Sequence, residues 1–220
     1  MPRGNVMPFI EYKSREEWVK SFGDRLGASE IGIVCGVASY KTPQQLWQEK
    51  TGKKKAADLS ENELVSYGTA AEEHLRALFA LKHRNKYDIE YHPLRVYYSE
   101  NEPYLTATLD GEIVEKETGR RGIYECKTCM IQSKADYEEW ANNHIPQKYY
   151  CQLCQQFYVT GFDFAILNAE LRWSNGRAEI NEYPVERIEV ENDIQFVKEK
   201  GVEFWRYVTS RKSPPVKITI

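Results

Sequence analysis

The sequence predicts an α+β or α/β chain, with a central mixed β-sheet flanked by helices and preceded by a helical N-terminal segment. Three observations carry this. Up to about residue 84, apolar residues recur at helical spacing behind capping residues. From Asp88 the pattern changes to period two, the mark of strands with one buried face. After Pro146 the helical spacing returns, interrupted by two more strand-like segments.

Ser14-Arg-Glu-Glu17 has the form of a capping box, in which a hydroxyl and a carboxylate each accept a backbone N–H at a helix start. It opens a helix through Phe22 that Gly23 breaks. Ser29-Glu30 caps a short apolar helix from Ile31 to Cys35, stopped by Gly36. Thr42-Pro43-Gln44-Gln45 is a second box, with proline at the first helical position, and its helix runs to Lys50. Lys53, Lys54 and Lys55 form a basic cluster, readable as a solvated loop or as a contact for a phosphate backbone. Ser60-Glu61-Asn62-Glu63 starts the longest helix, which continues to about Arg84 with Leu64, Ala71, Leu75, Leu78 and Phe79 as its apolar stripe. Strands are expected at about 88–98, 103–109, 111–116 and 122–128, in a largely meandering sheet, with residues 117–121 as a hairpin tip. A helix near 134–141 follows, and Pro146 opens another that Gly161 closes. Residues 163–171 and 178–183 read as strands, and 190–206 as an amphipathic helix with Ile194, Val197 and Phe204 inward.

The 220 residues are expected to form one domain, with its helical portion at about 14–84, its sheet and core at 88–184 and its last helix at 190–206. A hydrophobic content of 41% allows a sizeable core, yet no apolar run reaches the ~18 residues of a membrane span. The first residues lack a secretory apolar region, and five cysteines are an odd number, which together suggest reduced thiols in a cytoplasm. The formal net charge of −3 does not announce a nucleic-acid partner, although bound cations and local lysines can supply a positive field.

The chemistry concentrates at Leu109-Asp110-Gly111 and, fifteen residues after the aspartate, Glu125-Cys126-Lys127. In a strand, Glu125 and Lys127 share a face while Cys126 points the other way. Two converging carboxylates can hold a hard cation such as magnesium. A neighbouring ammonium can orient a metal-bound water or stabilise charge developing on a phosphate. Taken alone, the motif is equally compatible with a polar strand carrying an ion pair.

Four blocks in order sharpen the reading: Leu26-Gly27-Ala28-Ser29-Glu30 with Gly36 to Pro43 and Leu46-Trp47; Gly68 to Glu73 with Leu78-Phe79; the Asp110…Glu125-Cys-Lys127 centre; and Pro146 to Gln152 with Tyr158 to Gly161. In this order the chain resembles the YqaJ-type viral recombinase nucleases, the lambda-exonuclease-like branch of the PD-(D/E)XK superfamily, over residues 14–170. The resemblance implies a restriction-endonuclease-like fold and a Mg²⁺-dependent deoxyribonuclease, with Mn²⁺ as a substitute metal. It implies a phage-type 5′–3′ exonuclease that works from linear double-stranded DNA ends and leaves 3′ overhangs for a single-strand annealing partner. It also implies a ring trimer, in the cytoplasm of a bacterial host.

Carried over by position, Asp110 and Glu125 resemble the metal-binding carboxylates and Lys127 the catalytic lysine. Glu72 resembles the glutamate presented by the long helix to the same metal, and Gln152 the glutamine flanking it; Glu73 falls on a solvated helical face. Ser29 matches the serine used near a terminal phosphate and Arg25 its associated arginine; Lys148, one turn before Gln152 on the same helical face, suits a phosphate contact, and Thr108 is either a further hydroxyl for a phosphate or a structural strand residue. Leu109 departs from the proline of the motif's name, and the fifteen-residue gap requires a longer hairpin.

Cys126-x-x-Cys129 and Cys151-x-x-Cys154 have zinc-site spacing. The first pair starts inside a strand and the second lies within a helix, so buried apolar thiols are the expected reading. The four histidines suggest no shared metal, and Tyr40 and Trp47 stand near the substrate-side loops. The alternatives are a non-catalytic DNA-end-binding module on the same fold, a nucleic-acid-binding protein with a CxxC metal cluster, and an endonuclease.

Overall fold

A computed structural model describes residues 8–59 and 61–215. Strand β1 (Phe9–Glu11) precedes helix α1 (Arg15–Lys20), where Ser14 Oγ accepts the Glu17 N–H at 3.2 Å. The return bond of the expected box goes one residue further back, from the Lys13 N–H to the Glu17 carboxylate. The helix stops at Lys20, and residues Ser21–Asp24 form a 3₁₀ turn in place of its last turn. Strand β2 (Leu26–Gly27) leads through a 3₁₀ turn into α2 (Ile31–Cys35). Ser29 does not cap α2: the Glu30 carboxylate turns back to the Gly27 N–H at 2.9 Å and meets Lys50 at 2.8 Å. Helix α3 (Pro43–Lys50) has both halves of its box, Thr42 with Gln45.

Helix α4 (Glu63–Lys82) is capped by Asn62, whose Oδ1 accepts two N–H groups; the expected start at Ser60 lies outside the described residues. Ala71, Leu75 and Phe79 are its buried stripe, whereas Leu64 and Leu78 are exposed. Leu64 and Leu78, each seven residues from Ala71, stand within ~20° of it around the helix, so periodicity placed them in the stripe; the core under α4 covers only Ala71, Leu75 and Phe79.

The expected strand at 88–98 is two strands, β3 (Tyr87–Glu90) and β4 (Arg95–Tyr98), in different sheets. Pro93 sits in the break, where a residue without an N–H cannot extend a ladder. After β5 (Leu105–Ala107) come β6 (Gly111–Glu115) and the long β7 (Arg121–Ile131), joined by a turn with Gly119 at φ 73°. Helix α5 (Lys134–Glu138) is shorter than expected and passes into a 3₁₀ turn at Ala141–Asn143. Helix α6 (Gln147–Thr160) ends on Gly161 in the left-handed region. Strands β8 (Phe164–Trp173) and β9 (Ala178–Glu186) and helix α7 (Glu191–Ser210) complete the order.

The sheet is not a meander. One sheet has the order β1-β4-β5-β2 and a second β3-β6-β7-β8-β9, with parallel pairs at β2–β5 and β7–β8. The strict alternation of β7 and β8 divides the second sheet between two helices. Ile123, Ile131, Ala165, Leu167, Ala169 and Leu171 join the main core with Leu153 and Phe157 of α6. Tyr124, Cys126, Phe164 and Ile166 join a smaller core under Ala71, Leu75 and Phe79 of α4. Helix α6 is buried along most of its length, packed between both sheets and α2 and α7. No described helix is long and apolar enough to cross a membrane.

Candidate active site

The site forms where one strand runs on after its neighbour has stopped. Strand β6 pairs with β7 from Val114↔Arg121 to Gly111↔Tyr124, so the next step of that register sets Asp110 beside Glu125. The longer hairpin therefore brings the two carboxylates together. Beyond Tyr124 no described strand pairs with that edge of β7, which runs on to Ile131. The Asp110 side chain fills the first vacant place: its Oδ2 accepts the Cys126 N–H at 2.8 Å. Arg76 of α4 holds the same residue from behind, donating to the Asp110 carbonyl at 3.0 Å while lying 3.8 Å from the Tyr91 ring centre.

Glu125 is 1% exposed, and a carboxylate so buried needs donors. It has three: the Lys127 ammonium at 2.6 Å, the Gln152 amide at 2.6 Å and the Gln156 amide at 2.5 Å. The two glutamines are one helical turn apart on α6, which presents both to the odd-numbered face of β7. Gln155, between them, points away and donates to the Leu26 and Thr106 carbonyls, tying β2 and β5 to the same helix.

Burial weakens the charge of Lys127, but the carboxylates of Glu125 and Asp110 outweigh it and hold its proton more tightly than an ordinary lysine does. The side chain is thus an ammonium, suited to orient a water or stabilise negative charge rather than to accept a proton. Burial, with Glu125 and Glu72 adding their repulsion, pushes the Asp110 carboxyl well above its usual range against the pull of Lys127. Burial likewise raises Glu72, opposed by Lys127 and reinforced by Glu125. The centre is short of positive charge. Its donors are hard oxygens, which suit magnesium. Among the described residues no group of three His, Cys, Asp or Glu side chains is arranged to hold a metal. The fit is to a cation held by one or two carboxylates, with water and substrate phosphate completing its shell.

Glu72 is half-buried on α4 and Glu73 exposed, as their helical positions require. Gly68, one turn before Glu72, keeps α4 close to β7, since a Cβ there would stand 3.2 Å from Thr128 Oγ1. Thr108 is exposed, and its carbonyl accepts from Gln156 at 3.5 Å. Lys148 is half-buried, 4.9 Å from the Tyr149 ring centre. Ser29 is exposed. Arg25 is 8% exposed, its guanidinium 4.8 Å from the Phe22 ring centre and within 6 Å of Trp18 and Tyr12. Its Nη1 is buried with no hydrogen-bond partner among the described residues. No described hydrogen bond joins Arg25 or Ser29 to the carboxylate centre.

Arg76, Tyr149 and Gln156 are residues that sequence reasoning missed. Arg76 and Gln156 each lie four residues after a carried-over site residue, Glu72 and Gln152. That helical spacing is the signal that could have found them. The cysteine pairs separate: Cys126 packs under α4, Cys129 packs against the opposite core, and the Cys151 thiol bonds with Cys35 of α2. None of the five is in a disulfide.

The model of the YqaJ-like viral recombinase domain matches residues 17–163, a span that takes in every element of this centre. The chain belongs to the YqaJ-like viral recombinase family. It is 28% identical over 210 residues to the YqaJ protein of Bacillus subtilis, covering 92% of this chain and 59% of that protein. The chain thus spans about three-fifths of the length of that relative. Among solved structures, LHK-Exo, an alkaline exonuclease from Laribacter hongkongensis, in its complex with dAMP aligns with a TM-score of 0.65 at 14% identity, over 90% of this chain and 94% of that one. A phage-related exonuclease from Haemophilus somnus aligns with a TM-score of 0.55 at 12% identity, over 86% of this chain and 96% of that one. This YqaJ-like chain shares their fold.

Proposed function

We propose that this YqaJ-like chain is a Mg²⁺-dependent exodeoxyribonuclease, a single nuclease domain acting on the ends of linear double-stranded DNA to leave 3′ overhangs. The observation that carries the proposal is the meeting of Asp110, Glu125 and Lys127 at the open edge of β7, with Glu72 beside them and Gln152 and Gln156 behind. The structural neighbours are exonucleases, one of them in complex with dAMP, which supports the same class of reaction.

Asp110 and Glu125 would hold the metal, with Glu72 assisting; Mn²⁺ satisfies the same oxygen donors. The cation supplies charge neutralisation at the phosphate and makes a bound water more acidic. The Lys127 ammonium orients the attacking water and stabilises charge on the phosphate oxygens. Gln152 and Gln156 fix the Glu125 carboxylate, and the Cys126 N–H fixes that of Asp110. Lys148 and Thr108 contact the DNA backbone, and Ser29 with Arg25 receives a terminal phosphate, for which the unpartnered Arg25 Nη1 is a buried donor. A ring trimer around DNA, a single-strand annealing partner and a cytoplasmic setting complete the proposal.

The test is digestion of a 5′-phosphorylated linear duplex beside a closed circular one in Mg²⁺. An exonuclease degrades only the linear DNA. Cleavage of the circle would make the chain an endonuclease, and intact linear DNA would remove the nuclease assignment.

A further inference from the structure

Lys127 is not isolated from the surface. Its ammonium lies 5.3 Å from the centre of the Tyr149 ring, and the same ring has the Lys148 ammonium 4.9 Å away. Ser39, the chain neighbour of Tyr40, lines the same cleft as Lys148, and the Tyr40 hydroxyl feels the charges of Lys41 and Lys148. Cations and aromatic rings therefore alternate outward from the centre: Lys127, Tyr149, Lys148, Tyr40, Lys41. The outermost ring, Tyr40, is 65% exposed, although a tyrosine in a loop is usually free to fold onto an apolar surface.

The fold builds this arrangement rather than leaving it to loop mobility. Tyr40 lies in the connection between α2 and α3, which starts at Gly36 (φ 78°) and ends in the Thr42 cap. Helix α2 seats directly on the start of α6, because Gly32 has no side chain: a Cβ there would stand 3.1 Å from Lys148 Cα and 3.2 Å from its carbonyl oxygen. That close approach sets the Tyr40 loop against Lys148 and Tyr149. A cleft of about 820 Å³ opens beside them, lined by Ser39, Gln147, Lys148 and Tyr150, with Glu139 and Glu189 also on its walls.

Interleaved aromatic and cationic side chains are the chemistry of single-stranded nucleic acid: bases stack on rings, and phosphates meet ammonium groups. We propose that Tyr40 is a stacking platform for a nucleobase of the strand being cut, and that Lys148 and Tyr149 carry the adjoining backbone from it to Lys127. This rests on the nuclease reading and adds a substrate subsite to it: an unpaired base at the DNA end. Tyr149 acts as a positioning residue, its ring holding two ammonium groups in line.

The experiment uses the full chain with a 5′-phosphorylated DNA whose terminal nucleotides are unpaired and carry 2-aminopurine, a base whose fluorescence falls on stacking. Binding is read with chelator present, so that no cleavage occurs, and turnover of the same DNA is read in Mg²⁺. Wild type and Tyr40→Phe quench the probe; Tyr40→Ala loses the quenching and raises KM about tenfold, with kcat within twofold. Equal quenching by wild type and Tyr40→Ala, or none by wild type, overturns the subsite. If wild type quenches through Tyr40 and yet does not cut in Mg²⁺, the subsite stands and the nuclease reading falls.

Discussion

The carboxylate of Asp110 accepts the backbone N–H of Cys126 at 2.8 Å, in the place that a strand partner would occupy had β6 continued. A side chain thus completes the ladder of β7, and in doing so stands beside Glu125 with its charge disfavoured. In the metal-free protein the folded state holds the Asp110 proton to higher pH than the unfolded chain does. The Asp110 contribution to stability is therefore fully present below the unfolded carboxylate range and is lost as pH rises through the raised Asp110 value. Asp110→Asn keeps an acceptor for Cys126 and removes the charge. It should flatten that fall and raise the metal-free Tm at neutral pH by a few degrees, each ~1 kcal/mol of relief being worth about 2–4 °C in a chain of this size. Thermal melts from pH 4 to 8 check it, and nuclease activity should be lost in the same variant.

Divalent metal should act in the opposite sense on the wild type. Magnesium bound to the folded state alone stabilises it by ~2.7 kcal/mol at a hundredfold excess over Kd. Titrating Mg²⁺ into chelator-treated protein should raise Tm and restore activity together, and Asp110→Asn should show neither response. A wild-type Tm unmoved by Mg²⁺ would count against a metal at this carboxylate pair.

Gln156 is completely buried and donates to the second oxygen of Glu125. Gln156→Ala leaves a buried carboxylate oxygen without its donor, a loss of ~1–3 kcal/mol. If Glu125 holds the metal as proposed, the lost donor also loosens a metal ligand, and activity should drop about 10- to 100-fold. Denaturant melts and digestion rates on one preparation separate the two effects; full activity would show that Gln152 and Lys127 suffice to place Glu125.

Gly32→Ala tests the seating of α2 on α6. The added methyl meets backbone atoms of Lys148 at 3.1–3.2 Å, and the strain should destabilise the chain by ~1–3 kcal/mol. The displaced Lys148 and Tyr40 should raise KM for linear DNA more than they lower kcat. An unchanged KM would mean that the α2–α6 approach does not position the substrate-side residues.

What could be read in advance follows from the range over which each signal acts. The caps at Thr42 and Gly161 and the period-two runs at 111–116 and 122–128 are local, and the corresponding elements stand where the residues place them. Asp110, Glu125 and Lys127 were legible because strand alternation and a hairpin register link them over a short stretch. The separate sheet β1-β4-β5-β2 was not, because pairing β2 with β5 joins Leu26 to Leu105, a contact that no local pattern encodes. The break at Pro93 carried a local signal that was overridden by the apolar run around it. Arg25 was paired with Ser29 through the resemblance, and the three aromatic rings of the preceding residues 12–22 that surround it carried no local signal. The donors of Glu125 were half visible: one glutamine came with the motif, and its partner one turn later looked like any polar helical residue until α6 proved buried on that side.

On the proposed mechanism the Lys127 ammonium, held by Glu125 at the open edge of β7, serves phosphodiester hydrolysis. The most direct measurement is the Mg²⁺-dependent digestion rate of 5′-phosphorylated linear duplex by wild type and Lys127→Ala, with the Tm of both proteins recorded. The expected result is rapid digestion by wild type and a loss of at least ~10²-fold in Lys127→Ala while the variant remains folded. Digestion by folded Lys127→Ala at the wild-type rate would contradict it.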